Sequence, residues 1–289
     1  MNNISFYDIK AWVEQAQTEA NHEFREAVHT ILSAIASDRS LKACMILKGG
    51  ILLAIRYQSH RYTKDIDFST EKKPGGEITE VKIRESLNFS LALMVEELDY
   101  DLDCRVQSSK LQPNNPNSTY PSIKLKIGYA YKGTPKHKRL LALKSTTVIS
   151  IDFSLNEATP NVENLTLNDG EEILAYTLTD LIAEKYRSLL QQVVRNRTRR
   201  QDVFDLNLLI EKFNDIDEIE KNEILKSLIS KSRAREINPD IESFDDPELK
   251  TRAKTNYHTL ADEIDGELPD FDESFEKVSN FYKTLPWSI

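Results

Sequence analysis

The stretch Asp65-Ile66-Asp67-Phe68-Ser69 constrains this chain more than any other. Acidic and apolar residues alternate in it, and in a β-strand residues two apart project from one face. Ile66 and Phe68 therefore enter a core while both carboxylates stand side by side on the other face. Two carboxylates that close repel each other unless a cation or hydrogen-bond donors hold them. Oxygen ligands of this kind suit Mg²⁺, which takes one or two carboxylates together with substrate phosphates. The same spacing also serves a turn, a cap or a solvated edge, so the rest of the chain has to decide.

Upstream, "CMILKGG" reads as a short buried strand ending at Lys48, Gly49 and Gly50, and "ILLAIRYQ" as the helix after it. Glycine lets a backbone approach a ligand closely. A helix N-terminus offers free N–H groups and a positive dipole end to phosphate. A possible phosphate cradle thus precedes the aspartate pair by one helix, although a plain tight turn explains two glycines equally well. Asp152 lies in the apolar strand "VISIDFSL", where a charge needs a partner, a metal or an edge facing water. Lys185 falls on the stripe Leu178, Leu181, Ile182, Leu189 of a helix, so it either snorkels out or points its ammonium into a site. Asp202 and Asp205 lie one turn apart beside Leu206 and Leu209. Capping by the helix dipole accounts for Asp202 better than for Asp205.

Helical spacing predicts a helix over 6–36, and another over "ITEVKIRESLNFSLALMVEEL". "DLDCRVQ", "SIKLKIGYAY" and "STTVISIDFSL" read as strands, with a Pro/Asn-rich loop, "LQPNNPNSTYP", between the first two. "LNDGEEI" carries an Asp-Gly turn that suits a small hairpin. From Thr177 onward the periodicity is helical. The expected organisation is an α/β domain over 1–160 and a mainly helical domain over 161–289.

The net charge is −9, which argues against a polyanionic partner until its distribution is considered. Residues 240–276 hold thirteen acids and three bases, and the remainder is close to neutral. Arg105–Ile151 carries nine Lys/Arg and no acid, and Lys185–Arg200 carries six and no acid. Such segments can build a local positive surface for phosphates. The acidic tail reads as a solvated helical surface or as a cover for that basic face. Two cysteines sixty residues apart fit neither a disulfide framework nor a zinc site, which suggests a reducing cytoplasm. No apolar run approaches a membrane span, and "MNNISFYDIKAWVEQAQ" lacks the layout of a secretion signal.

Taken together, the Gly-Gly turn, "KDIDFS", the strand aspartate, "AEKYRSLL" and "RRQDVFDLNLLI" resemble the AbiEii/AbiGii-type nucleotidyltransferase toxin family over roughly residues 30–215. The resemblance implies a polymerase-β-like nucleotidyltransferase fold, an α/β domain with a mixed sheet followed by a helical C-terminal domain that completes the active site. It implies transfer of NMP from an NTP to an acceptor hydroxyl with release of pyrophosphate. The acceptor it suggests is the 3′ end of tRNA; a protein hydroxyl, or a non-catalytic binding protein of this fold, is the alternative. Asp65, Asp67, Lys185 and Asp202 match the catalytic positions, with Asp65, Asp67 and Asp152 expected on Mg²⁺ or Mn²⁺. Lys48, Gly49, Gly50, Arg199, Arg200 and Asp205 are expected around the NTP and its acceptor. Gln201 stands where the family's Arg-x-Lys-Asp-x-x-Asp motif has lysine. A cognate antitoxin and a role in phage defence are the partner and context implied.

Overall fold

Asp65–Ser69 is a strand, as its alternation requires, with Ile66 and Phe68 fully buried and Asp65 exposed. The computed structural model describes residues 8–113, 119–167 and 170–287. The strand sits near the middle of a seven-stranded sheet. In chain order the strands are β1 (Ile46–Lys48), β2 (Asp65–Ser69), β3 (Leu102–Gln112), β4 (Ser122–Tyr131), β5 (Val148–Ser154), β6 (Val162–Thr166) and β7 (Glu172–Tyr176). Their order across the sheet is β3-β4-β5-β2-β1-β7-β6. β2 runs parallel to β5 and antiparallel to β1, so the sheet is mixed.

One face of this sheet is apolar. Ile123, Leu125 and Ile127 on β4, Ile149, Ile151 and Phe153 on β5, and Ile66 and Phe68 on β2 are at most 1% exposed. Helices α2 (Glu19–Ser37) and α5 (Glu80–Glu97) pack on one another and on β3, closing the core. The other face is polar: Lys110, Lys124 and Lys126 are exposed on it. A sheet with one solvated face shows this alternation.

The stretch 6–36 holds two helices among its described residues rather than one. α1 spans Ile9–Glu14, and α2 starts afresh because the Thr18 hydroxyl accepts from the Asn21 N–H at 3.2 Å, an N-cap that competes with continuing the helix. Asp38 caps a single turn, α3 (Arg39–Lys42), and Gly49 opens α4 (Gly49–Tyr57). A short helix absent from the sequence reading, α6 (Pro135–Leu141), follows β4; Thr134 caps it and Pro135 sits in its first turn. β6 and β7 are neighbours in the sheet, as the expected hairpin requires, although residues 168 and 169 of its turn lie outside the described residues. Residues 114–118 of the Pro/Asn-rich loop lie outside them as well.

The chain divides into two units. The first comprises Met1–Arg56, Lys64–Glu157 and Glu163–Ala175, and contains the sheet. The second comprises Tyr57–Thr63, Ala158–Val162 and Tyr176–Ile289. In it α7 (Leu178–Val194) packs on α8 (Arg200–Lys212), α9 (Glu218–Arg233) and α10 (Pro247–Lys254), while α11 (Phe271–Lys283) packs on α8. Its aromatic core joins Tyr186 to Phe244 and Tyr282. The seven residues 57–63 precede β2 in sequence yet belong to this helical unit. No described helix is long and apolar enough to cross a membrane, and both cysteines are free and buried.

Candidate active site

In the first unit the acidic strand meets the glycine turn directly. Gly49 has φ +74°, a conformation that L side chains rarely adopt. A β-carbon built on it would stand 2.3 Å from Asp67 Oδ2 and 3.0 Å from Asp67 Cβ. The Gly49 backbone at the N-terminus of α4 therefore rests against the Asp67 carboxylate, a contact that only glycine permits. Residues paired in register share a face, so Lys110, Lys124, Asp152, Asp67 and Lys48 form one row across five strands on the polar side. Asp65 lies on the same face and pairs in register with Ser150.

Lys48 and Asp152 each have a named partner. The buried Lys48 ammonium donates to Glu157, which also accepts from Ser69 Oγ at 2.6 Å. Lys124 Nζ holds Asp152 Oδ2 at 3.0 Å, whereas Asp152 Oδ1 is buried with no hydrogen-bond partner. Among the described residues no three His, Cys, Asp or Glu side chains are gathered closely enough to hold a metal ion. Asp65, Asp67 and Asp152 thus share a face without closing into a cage. The two carboxylates of β2 and the orphaned buried oxygen of Asp152 on β5 are nevertheless a donor set that suits a hard divalent cation.

The second unit carries a buried ionic cluster. Lys185 does not snorkel: its side chain is 9% exposed, and Nζ donates to Asp202 Oδ1 at 2.9 Å and Asp205 Oδ2 at 2.5 Å. Neither aspartate makes a capping hydrogen bond, although Asp202 lies in the first turn of α8, where the helix dipole favours it. Asp205 is fully buried and is also gripped by Arg61, whose Nε donates to Oδ1 and Nη2 to Oδ2, both at 2.9 Å. A planar guanidinium forking onto a carboxylate is the strong, orienting form of this contact. Burial alone would push the Lys185 ammonium down, but Asp202 and Asp205 outweigh it and its pKa stands raised. Burial would likewise push Asp205 up, and Arg61 and Lys185 reverse this, leaving it lowered. Asp202 Oδ2 is buried without a hydrogen-bond partner. Arg200 Nη2 donates to Glu263 at 2.7 Å, and Arg199 occupies the N-cap position of α8.

The residues singled out from sequence therefore fall into two sets. Lys48, Gly49, Gly50, Asp65, Asp67 and Asp152 belong to the sheet unit, and Lys185, Arg199, Arg200, Asp202 and Asp205 to the helical unit. Three further residues escaped the sequence reading. Glu157 follows β5 in an unremarkable loop and carries no periodic signal. Glu263 is one acid among thirteen in the tail. Arg61 sits in the basic run "SHRYTK" just before the aspartate pair, where it reads as surface.

No curated protein matches the chain. Two solved structures from Helicobacter pylori are similar to it. JHP933 aligns at 13% identity and a TM-score of 0.51 over 93% of both chains, which shows a shared fold. A protein described as a candidate nucleotidyltransferase aligns at 15% identity and a TM-score of 0.49, over 93% of this chain and 95% of its own. Residues 30–278 match the family described as "Nucleotidyl transferase AbiEii toxin, Type IV TA system". With most of its length inside that match, the chain belongs to the AbiEii nucleotidyl transferase toxin family.

Proposed function

We propose that this toxin transfers NMP from an NTP to the terminal hydroxyl of an RNA, with the 3′ end of tRNA as acceptor. The observation that carries the reading is the contact of Gly49 with Asp67. A solvated acid pair has no use for a left-handed glycine against it. A phosphate-transfer site does, because a triphosphate needs backbone N–H groups at a helix N-terminus beside carboxylates that share a cation. Asp65 and Asp67 would hold Mg²⁺ or Mn²⁺, and the free oxygen of Asp152 would either complete that set or take the proton of the acceptor hydroxyl. Bound there, such a cation would neutralise triphosphate charge and lower the pKa of the attacking hydroxyl.

The chain's own groups have separate tasks. The acceptor oxygen forms a bond to the α-phosphorus, the bond from that phosphorus to the β-phosphate oxygen breaks, and pyrophosphate leaves. The hydroxyl proton passes to a carboxylate, for which Asp152 Oδ1 is the candidate. The N–H groups of Gly49 and Gly50 receive phosphate oxygens. Lys48, clamped by Glu157, places a fixed positive charge at the end of β1. Lys185 has three N–H bonds, of which Asp202 and Asp205 take two, leaving one for a phosphate oxygen. Asp202 Oδ2 is an acceptor for a donor on the nucleotide. Arg199 and Arg200 offer positive charge to phosphates of the NTP or the acceptor.

The test is incubation of the purified protein with Mg²⁺, total tRNA and each α-labelled NTP in turn. Label on tRNA supports the reading. Label on protein alone moves the acceptor to a protein hydroxyl. No label in any mixture, with no NTP binding, removes the catalytic reading.

A further inference from the structure

We infer that Arg61 is a positioning residue for Lys185: it neutralises and orients Asp205 so that the Lys185 ammonium can face a triphosphate without surplus negative charge around it. The inference rests on the nucleotidyl-transfer reading above and adds a residue that reading does not use.

Charge bookkeeping makes the case. Lys185 lies between two carboxylates, so those three groups alone carry one net negative charge. Such a cluster would repel the polyanion it is meant to bind. Arg61 brings the sum to zero, and the neighbouring Arg200–Glu263 pair leaves it there. In a buried setting this balance matters, because charge interactions are poorly screened.

Geometry makes Arg61 suited to the task. Its backbone is fixed, since Tyr62 N–H donates to the Glu263 carbonyl, Asp265 N–H donates to the His60 carbonyl at 3.0 Å, and Arg61 itself bridges Ile264. Its side chain is 10% exposed and spans both Asp205 oxygens. The fork determines which Asp205 oxygen reaches Lys185. Lysine at this position would keep the charge and lose the fork, because an ammonium is a point charge on a flexible stem.

The experiment compares wild type, Arg61→Gln, Arg61→Lys and Arg61→Gln/Asp205→Asn. The readouts are KM for the NTP, kcat, the inhibition constant of inorganic pyrophosphate, and Tm. Arg61→Gln should raise KM and the pyrophosphate constant together by about tenfold or more, as expected for one uncompensated charge close to a phosphate. The double variant removes that charge, so both constants should return to within about fivefold of wild type while kcat stays low, because Lys185 has lost one anchor. Arg61→Lys should keep KM within about threefold, since the net charge is unchanged, while kcat falls because the fork on Asp205 is lost. If Arg61→Gln does not fold, the double variant and Arg61→Lys carry the comparison. Unchanged constants in Arg61→Gln, no recovery in the double variant, or a large KM rise in Arg61→Lys overturns the inference. A wild type that transfers nothing and binds no NTP overturns the underlying reading, and this inference with it.

Discussion

Gly49 and Asp67 touch: a methyl group at residue 49 would overlap the Asp67 carboxylate at 2.3 Å. Gly49→Ala therefore carries two costs. Left-handed backbone strain in a residue with a β-carbon is about 1–2 kcal/mol, and Asp67 or the start of α4 must move as well. The expected outcome is a lower Tm and a fall in nucleotide transfer of at least ~100-fold, the scale seen when groups are misplaced by about 1 Å. A Gly49→Ala protein that transfers nucleotide at the wild-type rate would show that the contact is incidental to the chemistry.

Lys124 and a divalent cation are rivals for Asp152. The pair is partly exposed, so Lys124→Met should cost no more than ~1 kcal/mol of stability. If Asp152 ligates a metal, removing its competitor should lower the Mg²⁺ concentration for half-maximal transfer severalfold. A Mg²⁺ titration that is unchanged in Lys124→Met, alongside full activity in Asp152→Asn, would remove Asp152 from the metal set and leave Asp65 and Asp67.

The buried Lys185 cluster predicts a pH signature. Asp205 has a lowered folded pKa, so it contributes stability above the unfolded carboxylate value of about 3.9, and that contribution vanishes as pH falls through the folded value. Lys185 has a raised pKa, so its contribution is complete below about 10.4 and is lost only as pH rises through its folded value. Asp205→Asn should thus cost about 3–5 kcal/mol at neutral pH, the usual range for breaking a buried ion pair. The deficit should hold between about pH 5 and 9 and close below about pH 4. Urea unfolding of both proteins from pH 2.5 to 8 measures it. A deficit that stays constant down to the lowest pH would mean that Asp205 is not the anionic anchor.

What could be read from sequence, and what could not, follows from how each residue signals. Asp65 and Asp67 were legible because strand period 2 turns spacing into direction. Lys185 and Asp205 were legible as anomalies, being charged residues on apolar helix stripes, and the structure resolves the anomaly by pairing them. For Asp202 the helix-dipole reading stands beside the site reading, since it lies in the first turn of α8 and also accepts from Lys185. Arg61 was illegible because its meaning comes from residues 205 and 263–265, far along the chain, and a basic run predicts solvent. Glu157 was hidden likewise, since a loop acid acquires its role only once folding brings Lys48 and Ser69 to it. The division of 6–36 into two helices turns on Thr18, whose capping preference is weaker as a sequence signal than the apolar spacing around it.

The acid-free segment from Arg105 to Ile151 makes a prediction about the acceptor. Its residues Lys110 and Lys126 are exposed on the polar face of the sheet, in the rows that contain Asp67 and Asp65. Neither takes part in the buried pairs described above, so replacing them should leave the fold intact, with a change within about 0.5 kcal/mol. If RNA phosphates lie along this face, each lysine lost should reduce the slope of log affinity against log salt by about 0.7 for a single-stranded acceptor. Lys110→Ala/Lys126→Ala should therefore bind tRNA more weakly at low salt and lose less affinity as salt rises. KM for the NTP should stay within about twofold, because these side chains are assigned to the acceptor rather than the triphosphate. Filter binding from 50 to 300 mM KCl, with NTP kinetics at fixed salt, reads both quantities. An unchanged salt slope would move the acceptor off this face and leave Arg199 and Arg200 as the cations to test next.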